Sequence, residues 1–336
     1  MFISVIVPCY NHAPYLKERI ESIIHQTYQN FELILLDDLS PDNSAEILLS
    51  YKDHPKVTHC IINEQNSGST FYQWNKGIEL ARGELIWIAE SDDIADLSFL
   101  DKLVKPFFEN PNLVLAYSQS YRMDSNSNVT GSWKNHTDNL DSKKFEENFT
   151  MSGLDYIDQF LVVKNTIPNA SAVLFKKNTY IKLNNQHLSF SLVGDWLIWS
   201  KILTEGDIYF CQLPLNYFRY HNNSVIAKAK KSEKQLSLRN EVILFREKME
   251  HLWIQLINKN LVKSIYKKNK KYLFKEIYRN SSFIIRKRFF ADIPLSCKKT
   301  LKSCPVYLLP IVSLKLLIKI IYLIIIYQFS SKIKKN

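Results

Sequence analysis

The first 120 residues alternate short apolar runs with longer segments whose apolar residues recur at helical spacing. The apolar runs lie at 2–8, 31–38, 57–63, 84–90 and 113–121. They are bounded by polar residues and are too short for core helices. The first intervening segment places four apolar side chains on one helical face: Leu16, Ile20, Ile23 and Ile24. This alternation predicts an α/β fold, with a Rossmann-like, mostly parallel sheet covered by helices on both faces.

The charge of the chain is unevenly distributed. The net charge is +11, but residues 1–229 carry −8 and residues 230–336 carry +19. With 46% hydrophobic and 13% aromatic residues, a mainly disordered chain is excluded. We therefore predict a globular domain over residues 1–229 and a basic helical C-terminal region over residues 230–336.

The cysteines and the amino terminus indicate a cytoplasmic location. The five cysteines are scattered and form no CxxC pair, which is typical of a reduced chain. The amino-terminal apolar stretch has no basic region before it and no small-residue cleavage site, so it predicts a first strand and not a secretion signal. No GxGxxG or GxxxxGK[ST] pattern is present, so dinucleotide and P-loop sites are poorly supported.

Residues 305–329 form the most apolar segment of the basic region. The segment is long enough to span a bilayer, but Lys315 and Lys319 fall inside it and Pro310 interrupts its start. We therefore expect an amphipathic helix in the plane of an anionic membrane surface, with peripheral attachment. A membrane-spanning helix, or a helix packed on the catalytic domain or on a partner in a homo-oligomer, are the alternatives. Nucleic acid is not an expected partner, because no recognised reading module accompanies the charge.

Two acidic clusters follow predicted strands. Asp37 and Asp38 end the second strand, and Glu90, Asp92 and Asp93 follow the fourth. The carboxyl ends of parallel strands meet at one edge of a sheet, where ligands bind in such folds. Clustered carboxylates near a core are costly unless a positive partner balances them. They therefore lie in open solvent or hold a cation, and hard oxygen ligands suit Mn²⁺ or Mg²⁺.

An ordered set of motifs resembles the glycosyltransferases of family 2, which have the GT-A fold and use nucleotide-activated sugars. The set runs in family order through about residues 3–225. Its pieces are ISVIVPCYN, QTYQNFELILLDDLSPDNS, NSGSTFYQWNKGI, GELIWIAESDD and VGDW. The resemblance implies a nucleotide-sugar donor, a UDP-sugar by default, and a glycan or lipid-linked glycan acceptor in cell-surface polysaccharide biosynthesis.

The resemblance also implies roles for the donor-binding residues. Asp38 would contact the nucleotide base, with Asp37 supporting its turn, and Pro8 and Tyr10 would line the base pocket. Asp92 would approach the ribose.

The remaining implied roles concern the metal, the base and the middle motif. Asp93 would bind the metal that bridges the diphosphate, with His221 as a second candidate ligand, and Asp195 would be the catalytic base. Glu90 stands where the family has the first acid of its DxD motif. Asn75 belongs to the donor-binding middle motif.

Besides Glu90, which keeps the charge of the DxD motif but lengthens its first side chain, the chain departs from the family pattern at three places. Leu39 replaces the glycine of DDGS, Gly194 replaces the glutamate that often precedes the base, and Trp74 replaces an arginine before Asn75. A processive polysaccharide synthase is an alternative function, disfavoured because no QxxRW follows Asp195. An inactive nucleotide-sugar-binding scaffold is another, disfavoured by the acids at the metal and base positions. We therefore predict an inverting, metal-dependent hexosyltransferase that adds one sugar.

Overall fold

The computed structural model describes residues 1–220, 232–255 and 260–286. The chain divides into two compact units, residues 1–228 and residues 229–336. His221 and the apolar segment 305–329 lie outside the described residues.

Ten strands of the described chain form one sheet. They are β1 Ile3–Cys9, β2 Phe31–Asp37, β3 Val57–Ile62, β4 Leu85–Ile88, β5 Ile94–Ala95, β6 Leu113–Met123, β7 Val129–Ser132, β8 Phe149–Ser152, β9 Val173–Lys176 and β10 Asp207–Arg219. The helices of the same unit are α1 Ala13–Ile24, α2 Ser44–Ser50, α3 Thr70–Leu80, α4 Phe99–Glu109, α5 Gly153–Tyr156, α6 Lys177–Ile181 and α7 Gly194–Ile202. A π-helical turn, Ile157–Leu161, continues α5.

The sheet is parallel in its first half and mixed in its second. The strand order is β3-β2-β1-β4-β9-β6-β10-β5, with β7 on β6 and β8 on β10. The first four strands of that order are parallel to their neighbours, as the alternating pattern predicts. Beyond β4, strand β9 is antiparallel to both its neighbours, although β6 and β10 are parallel to one another. The sheet is therefore more mixed than the sequence pattern suggested.

Helices cover both faces of this sheet. Alternate residues of β1 point to opposite sides. Val5 and Val7 join a core with Leu16 of α1 and Phe99 of α4. On the other face Ile6 lies against Gly77 of α3, where an added Cβ would come within 2.4 Å of its side chain. Packing on both faces explains why the residues of β1, β2 and β4 are all buried.

Two local sequence patterns predict something other than what forms. The polar, Ser-, Asn- and Lys-rich stretch from about 126 to 147 is typical of a long loop, but it contains β7 and two short 3₁₀ turns. Asn43 and Glu46 have the spacing of a capping box for α2, but Asn43 makes no side-chain cap hydrogen bond. Instead Asp42 accepts from the Ser44 backbone N–H and hydroxyl, at 3.1 and 2.6 Å. An Asx-type turn one residue earlier therefore replaces the predicted cap.

The second unit contains two long helices, α8 Ser232–Gln255 and α9 Asn260–Arg286. Their contacts pair early residues of one with late residues of the other. Asn280 donates to Asn240 at 2.9 Å, and Tyr266 donates to Glu250 at 3.4 Å. The helices are therefore antiparallel. None of the helices in residues 1–220, 232–255 and 260–286 has the length and apolarity that crossing a membrane requires.

Leu39 adopts a left-handed conformation in the turn after β2, with φ of 57°. Its side chain is 46% exposed. The turn therefore has the left-handed conformation that glycine adopts without strain. For a residue with a Cβ this conformation costs about 1–2 kcal/mol.

We expect Leu39→Gly to raise the free energy of unfolding by about 0.5–1 kcal/mol, because the relieved strain exceeds the entropy that glycine loses on folding. Urea unfolding of the purified protein measures this. Leu49→Gly is the matched control, since Leu49 is 48% exposed but lies inside α2, where glycine costs about 1 kcal/mol. Equal destabilisation by both substitutions would contradict the prediction.

Candidate active site

The carboxyl ends of β1, β2 and β4 bring the predicted donor-binding residues to one edge of the sheet. The strands are adjacent and parallel, with Cys9 opposite Asp37. The Asp38 N–H donates to the Cys9 carbonyl at 2.9 Å, which joins the ends of β1 and β2. Pro8 is buried in β1, whereas Tyr10, just beyond the strand, is 49% exposed. The Tyr10 ring is thus accessible at this edge.

Asp37 and Asp38 are buried and organise the loops around them. Asp37 accepts from the Ser40 N–H at 2.8 Å and from the Ser40 hydroxyl, and these two hydrogen bonds hold the turn. Asp38 is 4% exposed, and its carboxylate accepts four hydrogen bonds from the segment 63–73. Its donors are Asn63 Nδ2 at 2.8 Å, Ser67 N at 2.9 Å, Ser67 Oγ at 2.8 Å and Gln73 Nε2 at 2.7 Å. Asp38 therefore holds the segment 63–73 against the ends of β1 and β2.

Glu90, Asp92 and Asp93 lie in the turn between β4 and β5 and differ in their surroundings. Glu90 accepts from Trp74 Nε1 at 2.9 Å, so Trp74 occupies the place of the family's arginine with a neutral donor. Asp93 is 3% exposed and accepts from the Arg219 N–H at 2.9 Å. The Asp92 side chain is 18% exposed, with Oδ2 lying 3.9 Å from His12 Nε2. Asp92 is the more open of the two aspartates.

Burial gives two of these acids unusual proton affinities. Desolvation, with the nearby charge of Asp92, raises the pKa of Glu90 to about 8. The same two causes raise the pKa of Asp93 to about 7, against hydrogen bonds from Ser171 and from the Arg219 backbone. Burial therefore favours the neutral, protonated form of both acids.

Arg19 supplies a buried positive charge beneath the acidic turn. It lies on α1, is 0% exposed, and its guanidinium sits 4.9 Å from the ring centre of Trp87 in β4. Its three side-chain nitrogens have no hydrogen-bond partner among the described residues. Desolvation lowers the pKa of Arg19 to about 10, whereas the charges of Asp93, Asp92 and Glu90 raise it. No sequence signal pointed to this role, because Arg19 falls within an otherwise amphipathic helix.

The middle motif divides its contacts between two places. Asn75 donates to Asn185 Oδ1 at 3.0 Å, and its own Oδ1 accepts from the Tyr180 hydroxyl at 2.7 Å and lies 2.9 Å from His187 Nε2. These contacts tie α3 to the segment 180–187. The residues just before Asn75 contact the acidic clusters instead: Gln73 donates to Asp38 and Trp74 donates to Glu90. Neither was predicted from the sequence to belong to the site.

Asp195 lies in the first turn of α7, after Gly194. A Cβ at Gly194 would come within 2.6 Å of the Phe71 ring, which explains why a larger residue does not fit there. Asp195 Oδ2 accepts from Asn165 Nδ2 at 2.9 Å, and Oδ1 accepts from the Trp196 N–H at 2.8 Å. Desolvation raises the pKa of Asp195 to about 6 despite these two donors. Such a carboxylate is ionised at neutral pH yet basic enough to accept a proton.

The Arg219 side chain joins the acidic turn to α1. Its Nε donates to the Asp92 carbonyl at 2.7 Å and its Nη2 donates to Glu18 at 2.8 Å. The guanidinium also lies 4.4 Å from the Tyr15 ring centre. Arg219 precedes His221 by two residues, and His221 lies outside the described part of the chain.

Comparison with known proteins identifies the class of domain. Residues 4–165 match the model of the glycosyl transferase family 2. Glycosyltransferase GlyG of Streptococcus pneumoniae is 43% identical over 101 residues, which are 30% of this chain and 33% of that protein. The putative teichuronic acid biosynthesis glycosyltransferase TuaG of Bacillus subtilis is 34% identical over 91 residues, 27% of this chain and 36% of its own. Residues 4–165 are therefore a family 2 glycosyltransferase domain, and the alignments span about a third of the length of these relatives.

A solved structure shares the fold. The structure of residues 1–349 of Staphylococcus aureus TarS in complex with UDP matches with a TM-score of 0.64 and 16% sequence identity. The match covers 95% of this chain and 88% of that one. The fold is thus of the GT-A type, as the motifs predicted.

The pKa of Glu90 predicts a pH-dependent gain in stability from Glu90→Gln. The folded-state pKa of about 8 lies above the ordinary value of 4.5, so between these pH values the folded protein holds more protons than the unfolded chain. The folded protein therefore becomes less stable as the pH rises through this window, because Glu90 must ionise in a buried place. We expect the variant to be more stable than wild type by on the order of 2 kcal/mol at pH 8.5, with the difference vanishing near pH 4.

Chemical unfolding between pH 4 and pH 9 measures this effect. Glu84→Gln is the control, because Glu84 is exposed at the start of the same strand region. A stability difference that does not change with pH would show that Glu90 is not destabilised by its charge.

Proposed function

We propose that the chain is an inverting glycosyltransferase that moves one sugar from a nucleotide-sugar donor to a glycan or lipid-linked glycan acceptor. The observation that carries this proposal is the Asp195 carboxylate. It is held by Asn165 at the start of a helix, with its pKa raised to about 6, in a chain with a family 2 domain. A nucleotide-binding scaffold needs no base of this kind.

The donor would bind at the ends of β1, β2 and β4. Tyr10 offers an exposed ring for stacking on a base, and Asp38 holds the nearby loop through Ser67. Asp92, the more open aspartate of the turn, suits a ribose hydroxyl as an acceptor. A UDP-sugar is the donor we propose, and TarS, which shares the fold, has been crystallised with UDP and with UDP-GlcNAc.

A divalent cation, Mn²⁺ or Mg²⁺, is proposed at Asp93. Carboxylate oxygens are the donors that such ions prefer. Desolvation and the nearby charge of Asp92 raise the pKa values of Glu90 and Asp93, so a bound cation would be needed to favour their ionised forms. Within the described residues no group of three or more His, Cys, Asp or Glu side chains is arranged to hold a metal ion. One or two carboxylates with substrate phosphates and water suffice for Mg²⁺, and the bound ion would neutralise the departing diphosphate.

The chain's own contribution to the reaction is proton removal and orientation. Asp195 would accept the proton of an acceptor hydroxyl as its oxygen forms a bond to the anomeric carbon. The bond between that carbon and the diphosphate oxygen breaks, and the nucleoside diphosphate leaves with the electron pair. Asn165 and the Trp196 N–H fix the orientation of the carboxylate. A single displacement inverts the anomeric centre.

The acceptor that we propose belongs to cell-surface polysaccharide biosynthesis. TuaG, one of the relatives, is named for teichuronic acid biosynthesis, but it is aligned over only 27% of this chain. The relative supports a polymer or its lipid-linked precursor as the class of acceptor.

We expect Asp195→Asn to lower turnover by a factor of about 10²–10⁴ while donor affinity changes little, because only proton removal is lost. The assay follows nucleoside diphosphate release from UDP-sugars, with donor binding measured by calorimetry. Asp53→Asn is the matched control, since Asp53 is exposed on another part of the same unit. Full turnover by the Asp195→Asn variant would exclude Asp195 as the base.

The same assay tests the cation. Chelator should abolish turnover, Mn²⁺ or Mg²⁺ should restore it, and Asp93→Asn should weaken metal-dependent donor binding. Unchanged turnover in chelator would overturn the metal proposal while leaving the role of Asp195 open to its own test.

We also propose peripheral attachment to the cytoplasmic face of a membrane through α9. The exposed face of this helix is basic along its length: Lys263, Lys267, Lys270, Lys271, Lys275 and Arg279. Like charges four residues apart disfavour a helix by a few tenths of a kcal/mol per pair. An anionic partner would offset this repulsion. Near anionic headgroups each lysine contributes about 1 kcal/mol of binding free energy. Segment 305–329 would add an apolar anchor.

Replacing Lys263, Lys267, Lys271 and Lys275 together by Gln should weaken binding to phosphatidylglycerol vesicles at least tenfold. Co-sedimentation at low and high salt measures this, with phosphatidylcholine vesicles for comparison. The matched control replaces four exposed lysines of the first unit, Lys17, Lys52, Lys102 and Lys143. Binding that ignores both salt and the four substitutions in α9 would exclude the lysine stripe as the anchor.

A further inference from the structure

The loop after β1 carries a histidine beside the acidic turn, and no role has been assigned to it so far. His12 Nε2 lies 3.9 Å from Asp92 Oδ2, and the two side chains are 24% and 18% exposed. They belong to the loops that follow β1 and β4, which are adjacent parallel strands. Both side chains are therefore accessible at the edge of the sheet where the donor is proposed to bind.

The His12 ring is held in place by its neighbours. Its Nδ1 lies 2.8 Å from Ser91 Oγ, and Ser91 is 1% exposed. The ring also meets Tyr15 edge to face, with 6.2 Å between the ring centres. His12 is the N-cap residue of α1, but its side chain makes no capping hydrogen bond. The contacts with Ser91 and Tyr15 thus fix the ring with Nε2 on the side of Asp92.

The surroundings favour the tautomer of His12 that carries its proton on Nε2. In that tautomer Nδ1 accepts the hydroxyl proton of Ser91, and the Nε2–H faces the carboxylate of Asp92. The other tautomer would present the Nε2 lone pair to this negative charge, which is electrostatically unfavourable. His12 therefore places a hydrogen-bond donor opposite the acceptor that Asp92 provides.

The separation of 3.9 Å is too long for a direct hydrogen bond between Nε2 and Oδ2. One oxygen atom can nevertheless lie about 2.8 Å from both, which is the length of a good hydrogen bond. Such an oxygen must accept from the Nε2–H and donate to the carboxylate, so it must belong to a hydroxyl group or to water. Carbonyl, ether and ionised phosphate oxygens lack the proton that Asp92 would accept.

We propose that His12 is a further donor-binding residue, which together with Asp92 holds one hydroxyl of the donor ribose. The inference rests on the proposed function, in which Asp92 approaches the ribose. A nucleotide without that hydroxyl leaves the His12 donor and the Asp92 acceptor without their bridging partner. Sites built to bond a hydroxyl reject ligands that lack it. The pair therefore selects ribonucleotide donors over deoxyribonucleotide donors.

Calorimetry of UDP, 2′-deoxy-UDP and 3′-deoxy-UDP binding to the full-length protein tests this inference, with Mn²⁺ present throughout. We expect wild type to bind UDP more tightly than one of the two deoxy analogues by about tenfold or more. His12→Phe keeps a ring beside Tyr15 but removes Nε2. It should lower UDP affinity about tenfold and change the affinity for that analogue less than about twofold, because residue and hydroxyl are two ends of one hydrogen bond.

Three further variants separate the hydrogen bond from a packing role. His12→Gln offers an amide N–H in place of the Nε2–H and should keep part of the preference for UDP. His12→Asn keeps a polar group near Ser91 but is too short to reach Asp92, so it should lose the preference even if His12→Phe fails to fold. His25→Ala is the matched control, because the His25 side chain is 63% exposed at the other end of α1. Melting temperatures of all variants identify any that misfold.

The outcomes that overturn this inference differ from those that overturn the proposed function. If the His12 variants weaken the binding of UDP and of both deoxy analogues by the same factor, or of none, His12 does not contact a ribose hydroxyl. If wild type binds all three nucleotides equally, no hydroxyl is held between His12 and Asp92, and the proposed function still stands. If wild type binds no UDP, the proposed UDP-sugar donor fails and this inference fails with it.

Discussion

The carboxyl-end edge of the sheet depends on one electrostatic interaction: the buried Arg19 guanidinium lies close to the acidic turn that follows β4. The strand that leads to the turn is wholly buried, so Glu90 and Asp93 are carried into a region of low polarity. The Arg19 charge interacts with Asp93, Asp92 and Glu90, yet the pKa values of Glu90 and Asp93 stay raised, which favours their protonated forms. Further positive charge at the turn would shift both acids towards their ionised forms.

Asp38 shows a second way in which a buried carboxylate shapes the site. The four hydrogen bonds to its carboxylate come from residues 63–73, a segment that belongs to the loop before α3 and to α3 itself. Because Gln73 and Trp74 are neighbours on α3, the same helix satisfies Asp38 and Glu90. Helix α3 thus couples the two acidic clusters. A substitution of Gln73 or Trp74 in α3 would therefore remove a hydrogen bond from one acidic cluster and disturb the helix that contacts the other.

Local sequence pattern was enough to predict some parts of the site. Strand ends could be located from apolar runs, so the positions of Asp37 and of the acidic turn were foreseeable. The contacts of Arg19 and Asn75 were not, because helical periodicity does not reveal what a polar residue meets on a segment distant in the chain. The sequence also did not predict that β9 runs antiparallel to its neighbours, for a related reason. Its pairing with β4 and β6 joins residues far apart in sequence, which no local pattern records.

The loop from Asn165 to Ser171 joins the two chemical ends of the site. Asn165 orients the proposed base, and Ser171 bonds to the backbone of Glu90 and to Asp93. Between these anchors the loop carries Asn169, whose side chain bonds to neither end. Moving either anchor would displace the Asp195 side chain or the acidic turn. Asn169 lies between the anchors, so its side chain can be replaced without breaking the hydrogen bonds at either end of the loop.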